Sequence, residues 1–316
     1  MTSDRGPVAL AGGAEFDAIR AMIARWGNRA VGIGDDAAIV QVPRGDGLVV
    51  SVDTSIEQRH FRAEWLTVHE VGYRAVTAAL SDLAAMAAQP LGVLVALALP
   101  ENRRADLEAL ADGIGDAVTT AGTVIVGGNV AAADTLSLTT TVLGHAFAPL
   151  ARAGLSPGDL LYVTGRLGGP GAALAAWRSG HRLSDLHRER FARPIARIRE
   201  ARWLADRGAT AAIDISDGLA ADLEQLAAAS RVGIDVDLDG LALVEGVNGP
   251  IAAAASGEEY ELIVGASSPM ETGEFERAFG IPLTAIGRAT AANAGVIFRQ
   301  GMERVAKPRG YDHLSR

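Results

Sequence analysis

Residues 148–159, APLARAGLSPGD, carry two prolines and no apolar periodicity, and they fall near the middle of a 316-residue chain. Proline has no N–H and pushes its preceding residue out of the helical region, so such a stretch continues neither a helix nor a central strand. The seam predicts two domains, 1–148 and 149–316. Each half alternates short apolar runs with helical periodicity, which makes the class α/β or α+β.

In the first half, residues 15–26 place Phe16, Ile19, Met22 and Ile23 on one helical face. Residues 48–52 and 91–99 read as strands, the second bounded by Pro90 and Pro100. Residues 69–88 and 105–121 read as helices, 123–126 as a short strand stopping at Gly127-Gly128, and 136–146 as an alternating strand. In the second half, the strand 160–164 precedes a glycine-rich turn and a helix over 172–179. Residues 182–207 carry many arginines and read as a solvated helical region. A strand over 211–215 runs into Ser216-Asp217-Gly218 and a helix over 219–230.

Composition removes several chemistries. With no cysteine, the chain has no disulfide, no thiolate metal ligand and no Cys nucleophile. Its one lysine, Lys307, lies in no phosphate-loop motif and on no early strand. A formal net charge of −9 without a basic run argues against nucleic acid. No apolar run is as long as the ~18 residues of a membrane span. Residues 1–7 lack the pattern of a signal peptide, so the expected location is cytoplasmic.

The informative residues are acids in apolar surroundings. Asp35-Asp36 sit between glycines and an apolar stretch, and Asp53 ends the run LVVSV. Asp82 interrupts an Ala/Leu/Met run, and Asp214, Ser216 and Asp217 stand in AIDISDGL. Buried carboxylates are costly unless paired or metal-bound. Several of them with few cations nearby suit Mg²⁺, which takes oxygen ligands and works with phosphates. Plainer readings stand beside this one: Asp82 as a solvated helix residue, Asp217 as a helix cap, Asp35-Asp36 and the glycine pairs as turns, and His60 as a surface or core histidine.

In order, AEFDAIR, GIGDDAA, SVDT with RHF, ALSDLAAMAAQP, VGG, ARAGLSPGD, YVTG, AIDISDGLAADL, SGEEYEL and GYDH run through the chain from Glu15 to His313. These segments resemble the thiamine-monophosphate kinase family, part of the superfamily of aminoimidazole-ribotide synthetase, selenophosphate synthetase and the hydrogenase-maturation dehydratase. The resemblance implies an N-terminal α/β dimerisation domain that also binds ATP and Mg²⁺, and a C-terminal α+β domain. It implies direct transfer of the ATP γ-phosphoryl group to thiamine monophosphate, in a homodimer that binds neither nucleic acid nor membrane. Asp36, Ser51, Asp53, Asp82, Asp214 and Asp217 match metal positions, Asp217 with a catalytic role. Gly128, Asn129, Arg152 and Ser216 match nucleotide positions. His60, Glu258 and Tyr311 match the thiamine side.

The chain departs from the family pattern at functional positions. Asn129 stands where the family has Asp after two glycines, and keeps an oxygen ligand while losing a charge. Glu259 replaces an Asp, Ser256 a glycine, Val52 a Thr and Ala79 an Asn. These departures leave open a paralogue that acts with ATP on another substrate, or a non-catalytic nucleotide-binding relative.

Overall fold

The computed structural model describes residues 13–33, 37–291 and 295–310. The chain divides into two compact units, residues 1–83 with 88–148, and residues 84–87 with 149–316.

The first unit contains α1 (Ala14–Trp26), β1 (Gly47–Ile56), α2 (Val68–Ala85), β2 (Gln89–Leu99), α3 (Leu107–Ala121), β3 (Ile125–Ala132) and β4 (Ser137–Ala146). Its four-stranded sheet has the order β1-β4-β2-β3. Neighbours are antiparallel except β2 and β3. Alternation along β4 buries Leu138, Thr140, Val142 and Gly144 on one face, as a half-covered antiparallel strand requires. α2 is buried almost throughout, and it meets α3 where Gly72 and Gly113 remove side-chain bulk.

The sequence expectation ended a strand at Gly127-Gly128, but β3 runs through both glycines to Ala132. Its register with β2 continues from Gly127 opposite Leu94 to Ala132 opposite Leu99. A Cβ on Gly128 would lie 2.1 Å from the Val95 carbonyl oxygen. That close approach of two strands requires the glycine whatever else it does.

The second unit contains β5 (Leu160–Thr164), α4 (Gly169–Ser179), α5 (Asp185–Ala192), α6 (Ile198–Asp206), β6 (Ala209–Asp214), α7 (Leu219–Ser230), β7 (Gly233–Asp237), α8 (Gly249–Ala254), β8 (Leu262–Ala266), α9 (Thr272–Phe279), β9 (Leu283–Thr290), β10 (Gly295–Gln300) and β11 (Glu303–Val305). Its seven-stranded sheet has the order β11-β10-β7-β9-β5-β8-β6. The core joins Leu161 and Val163 of β5, Ile213 of β6 and Ile263 of β8 to Leu219, Leu223 and Leu226 of α7. Both β5 and β6 run antiparallel to β8. The exits of β5 and β6 therefore fall at the same end of the sheet as the entry to β8.

The arginine-rich stretch is not simply solvated. It forms α5 and α6, which bury Phe191, Ile198, Ala201 and Leu204. Arg197 is buried with them, because it has a carboxylate partner inside the unit.

Candidate active site

Three loops leave the shared end of the second-unit sheet: residues 165–168 after β5, 215–218 after β6 and 255–261 before β8. Backbone bonds tie the last two together. Glu258 N–H donates to the Ser216 carbonyl (2.7 Å), Tyr260 N–H to Ile215 (2.9 Å) and Ile215 N–H to Glu261 (2.8 Å). Glu258 and Tyr260 both hold positive φ, 63° and 53°. Such backbone costs about 1–3 kcal/mol per residue and persists where the surroundings over-determine it. The Tyr260 hydroxyl also donates to the Glu258 carboxylate. Glu258 is thereby tied to Ser216 through its main chain and to Tyr260 through its side chain.

Beneath the loops lies a buried charge network. The Glu261 carboxylate, fully buried, accepts from Arg197 Nε (2.8 Å) and Nη2 (2.5 Å), from Arg190 Nη2 (2.8 Å) and from Thr164 Oγ1 (2.8 Å). Burial pushes Glu261 up, but the Arg197 and Arg190 guanidiniums outweigh it and hold the acid below its ordinary value. Glu259 behaves in the opposite way. Its Oε1 accepts the Gly168 N–H at 2.6 Å, whereas Oε2 has no hydrogen-bond partner among the described residues. Burial drives it up to about 8, against the pull of Ser256, Arg190 and the Gly168 N–H.

Asp214 is buried at the end of β6, Asp217 is half-buried and Ser216 is exposed. The capping reading of Asp217 does not hold. The N-cap of α7 is Gly218, and no side chain caps it in the usual way. Instead Asp222, inside α7, reaches back to the turn. Burial, then the charges of Asp214 and Asp217, raise Asp222 to about 8. Three carboxylates are therefore close enough here to feel one another. Gly310 packs onto the same turn: a Cβ there would lie 2.6 Å from the Asp217 carbonyl oxygen. Its neighbour Tyr311 lies outside the described residues. Arg152 is on an exposed loop, where its carbonyl accepts the Ser230 hydroxyl at 2.6 Å. No ion pair of its guanidinium is found among the described residues.

In the first unit, Ser51 and Asp53 share the half-buried face of β1. Ser51 Oγ donates to Asp82 Oδ2 at 2.5 Å. Asp82 is thus not a plain solvated residue of α2. Asp53 Oδ1 accepts the Thr54 N–H at 2.7 Å. His60 Nδ1 accepts the Ile56 N–H at 3.0 Å, which puts the proton of the neutral ring on Nε2. Gly128 and Asn129 are exposed on β3. Asp36 lies outside the described residues. Among the described residues, no three His, Asp or Glu side chains are gathered into a ready metal cage.

The sequence reading missed Asp222, Glu261 and the two inward arginines. Asp222 had a visible signal: it falls on the apolar stripe of α7, in helical register with Leu219, Leu223 and Leu226. The arginines had none, since their partner lies 64 and 71 residues away.

Two domain descriptions match the chain: AIR synthase related protein, N-terminal domain, over residues 34–146, and the corresponding C-terminal domain over 156–299. These define a two-domain protein of the AIR synthase related class. A thiamine-monophosphate kinase of Salmonella typhimurium is 36% identical over 302 residues, 90% of this chain and 92% of the relative. A crystal structure of thiamine-monophosphate kinase from Stenotrophomonas maltophilia superposes with a TM-score of 0.81 at 33% identity, covering 90% of this chain and 96% of that one. A chain solved as AaThiL complexed with AMPPCP and TMP superposes with a TM-score of 0.76 at 25% identity, covering 97% and 100%. The chain belongs to the thiamine-monophosphate kinase family.

Proposed function

We propose that this chain transfers the γ-phosphoryl group of ATP to the phosphate of thiamine monophosphate. An oxygen of the acceptor phosphate bonds to the γ-phosphorus, the bond from that phosphorus to the β–γ bridging oxygen breaks, and ADP leaves. Catalysis of this kind is mostly positioning and charge neutralisation. Family membership supports the reading. Within the chain, the carrying observation is the clamp that holds Glu258 against Ser216, next to Asp217.

Asp36, Ser51, Asp53 and Asp82 of the first unit, and Asp214 and Asp217 of the second, are the residues we assign to Mg²⁺. Their donors are all hard oxygens, as this ion requires. The crowding of Asp214, Asp217 and Asp222 marks a place where added positive charge is stabilising. Bound Mg²⁺ would neutralise phosphate charge during transfer. We assign Gly128, Asn129, Arg152 and Ser216 to the nucleotide. The forked donors of Arg152 suit a phosphate. We assign His60, Glu258 and Tyr311 to the thiamine side. In the neutral ring His60 carries its proton on Nε2, because Nδ1 accepts from the main chain.

Among the described residues, no helix is long and apolar enough to cross a membrane. Use of ATP supports a cytoplasmic location.

The test is an endpoint assay with thiamine monophosphate, ATP and excess Mg²⁺. Thiamine diphosphate and ADP in equal amounts are expected. ADP with free phosphate and no thiamine diphosphate would mean a different acceptor. Nucleotide binding without ADP would mean a non-catalytic relative. Asp217→Asn separates metal binding from structure, since it should abolish turnover in protein that remains folded.

A further inference from the structure

One carboxylate oxygen, Asp222 Oδ2, accepts three consecutive backbone N–H groups: Ser216 at 3.1 Å, Asp217 at 3.2 Å and Gly218 at 3.1 Å. Successive N–H groups aimed at one point form a concavity that holds an anion. Here the occupant is the protein's own side chain, delivered from the first turn of α7. Asp222 is 3% exposed and shares the buried stripe of α7 with Leu219, Leu223 and Leu226. An apolar residue would suit that position more cheaply, since a buried carboxylate beside two others costs free energy. What Asp222 accomplishes there is local. It satisfies the N–H groups of the very turn that carries Ser216 and Asp217 and that follows Asp214. Through the Ser216 carbonyl, the same turn also holds Glu258.

We propose that Asp222 is a positioning residue for phosphoryl transfer. By gathering the three N–H groups on one oxygen, it fixes the turn and so the direction of the Asp217 carboxylate and the Ser216 hydroxyl. It also fills the concavity, so that a substrate phosphate is not drawn onto those N–H groups. This role rests on the function proposed above. It requires an acceptor oxygen at this place and does not require its charge.

Two variants separate acceptor from charge. Asp222→Asn keeps an oxygen in place, and Asp222→Ala removes it. Partners of this indirect kind are worth about 10–100-fold in metal affinity or activity. In Asp222→Ala, the Mg²⁺ concentration at half-maximal rate should rise at least about tenfold and kcat should fall, with far-UV circular dichroism unchanged. Amide hydrogen exchange at residues 216–218 should accelerate. Asp222→Asn should stay within about threefold of the parent in both kinetic terms, because the acceptor survives. Parent-like Mg²⁺ dependence in folded Asp222→Ala overturns the proposal, as does Asp222→Asn as impaired as Asp222→Ala. Should Asp222→Ala not fold, Asp222→Ser replaces it, with a hydroxyl too short to reach all three N–H groups. If the parent makes no thiamine diphosphate, it is the function reading that fails. Calorimetric Mn²⁺ binding then decides the positioning role: weakened at least about tenfold in Asp222→Ala and retained in Asp222→Asn if the role is right, equal in all three if it is wrong.

Discussion

Two acids of the loop before β8, separated by Tyr260, have opposite electrostatic fates. Glu261 is held ionised by Arg197 and Arg190, whereas burial carries Glu259 to about 8 from an ordinary 4.5. At neutral pH folded Glu259 keeps a proton that the unfolded chain has released. Stability therefore falls as pH rises from about 4.5 to about 8, by at most about 1.4 kcal/mol per pH unit for this group. Glu259→Gln is neutral at every pH, so its urea midpoint should decline less between pH 6 and 8 than that of the parent. Parallel declines would show Glu259 ionised in the folded state. Glu261→Gln should instead cost about 3–5 kcal/mol at pH 7, since it takes the charged partner from buried Arg197, leaving it only the longer Glu200 contact, and from half-buried Arg190. Sequence showed both acids as one motif, SGEEYEL, but not their environments, which come from distant α5 and α6. Asn129 is exposed on β3, and there the prediction is functional. Asn129→Asp restores a charge, so it should lower the Mg²⁺ concentration at half-maximal rate. An unchanged value would remove Asn129 from the metal side of the site.

At the scale of elements, periodicity located most helices and strands, and β5 and α7 match the expected bounds. It failed where glycine and proline were read as breaks. Pro90 lies inside β2 and Gly127-Gly128 inside β3, because what matters for a strand is which partner backbone runs alongside. The α2–α3 crossing depends on glycines in the same way. A Cβ on Gly113 would lie 1.9 Å from the His69 carbonyl oxygen, and one on Gly72 would lie 2.5 Å from that of Leu110. Backbone cannot yield as a side-chain tip does, so the helices must separate. Gly113→Ala should cost about 1–3 kcal/mol in urea unfolding despite alanine's better helix propensity. Gly47→Ala is the control, since a Cβ there meets nothing closer than 3.8 Å. If the two substitutions cost the same, close glycine contact does not set the crossing.

At the scale of the whole molecule, β1 has an inverted pattern. Ser51 and Asp53 turn to the half-buried face with Asp82, while Leu48, Val50 and Val52 point outward at 53, 54 and 61% exposure. A strand on a solvated sheet face ordinarily turns its polar side out. The LVVSV run revealed a strand but not which side was uncovered, because alternation fixes faces only relative to one another. The inversion is explained if the outward face is covered by a second copy of the chain, which we propose as the homodimer contact. The same strip on both protomers would then meet across a two-fold axis, and apolar residues exposed in one chain would become interface core. Val50→Asp places a charge at the middle of the strip. It should convert a dimer at micromolar concentration into a monomer by sedimentation velocity, while leaving the second unit's fold intact. The exposed position makes it tolerable in a monomer, so loss of association would not be a folding defect. A dimer that survives Val50→Asp would move the contact to another face, and a parent protein that is already monomeric would leave the inverted strand without this explanation.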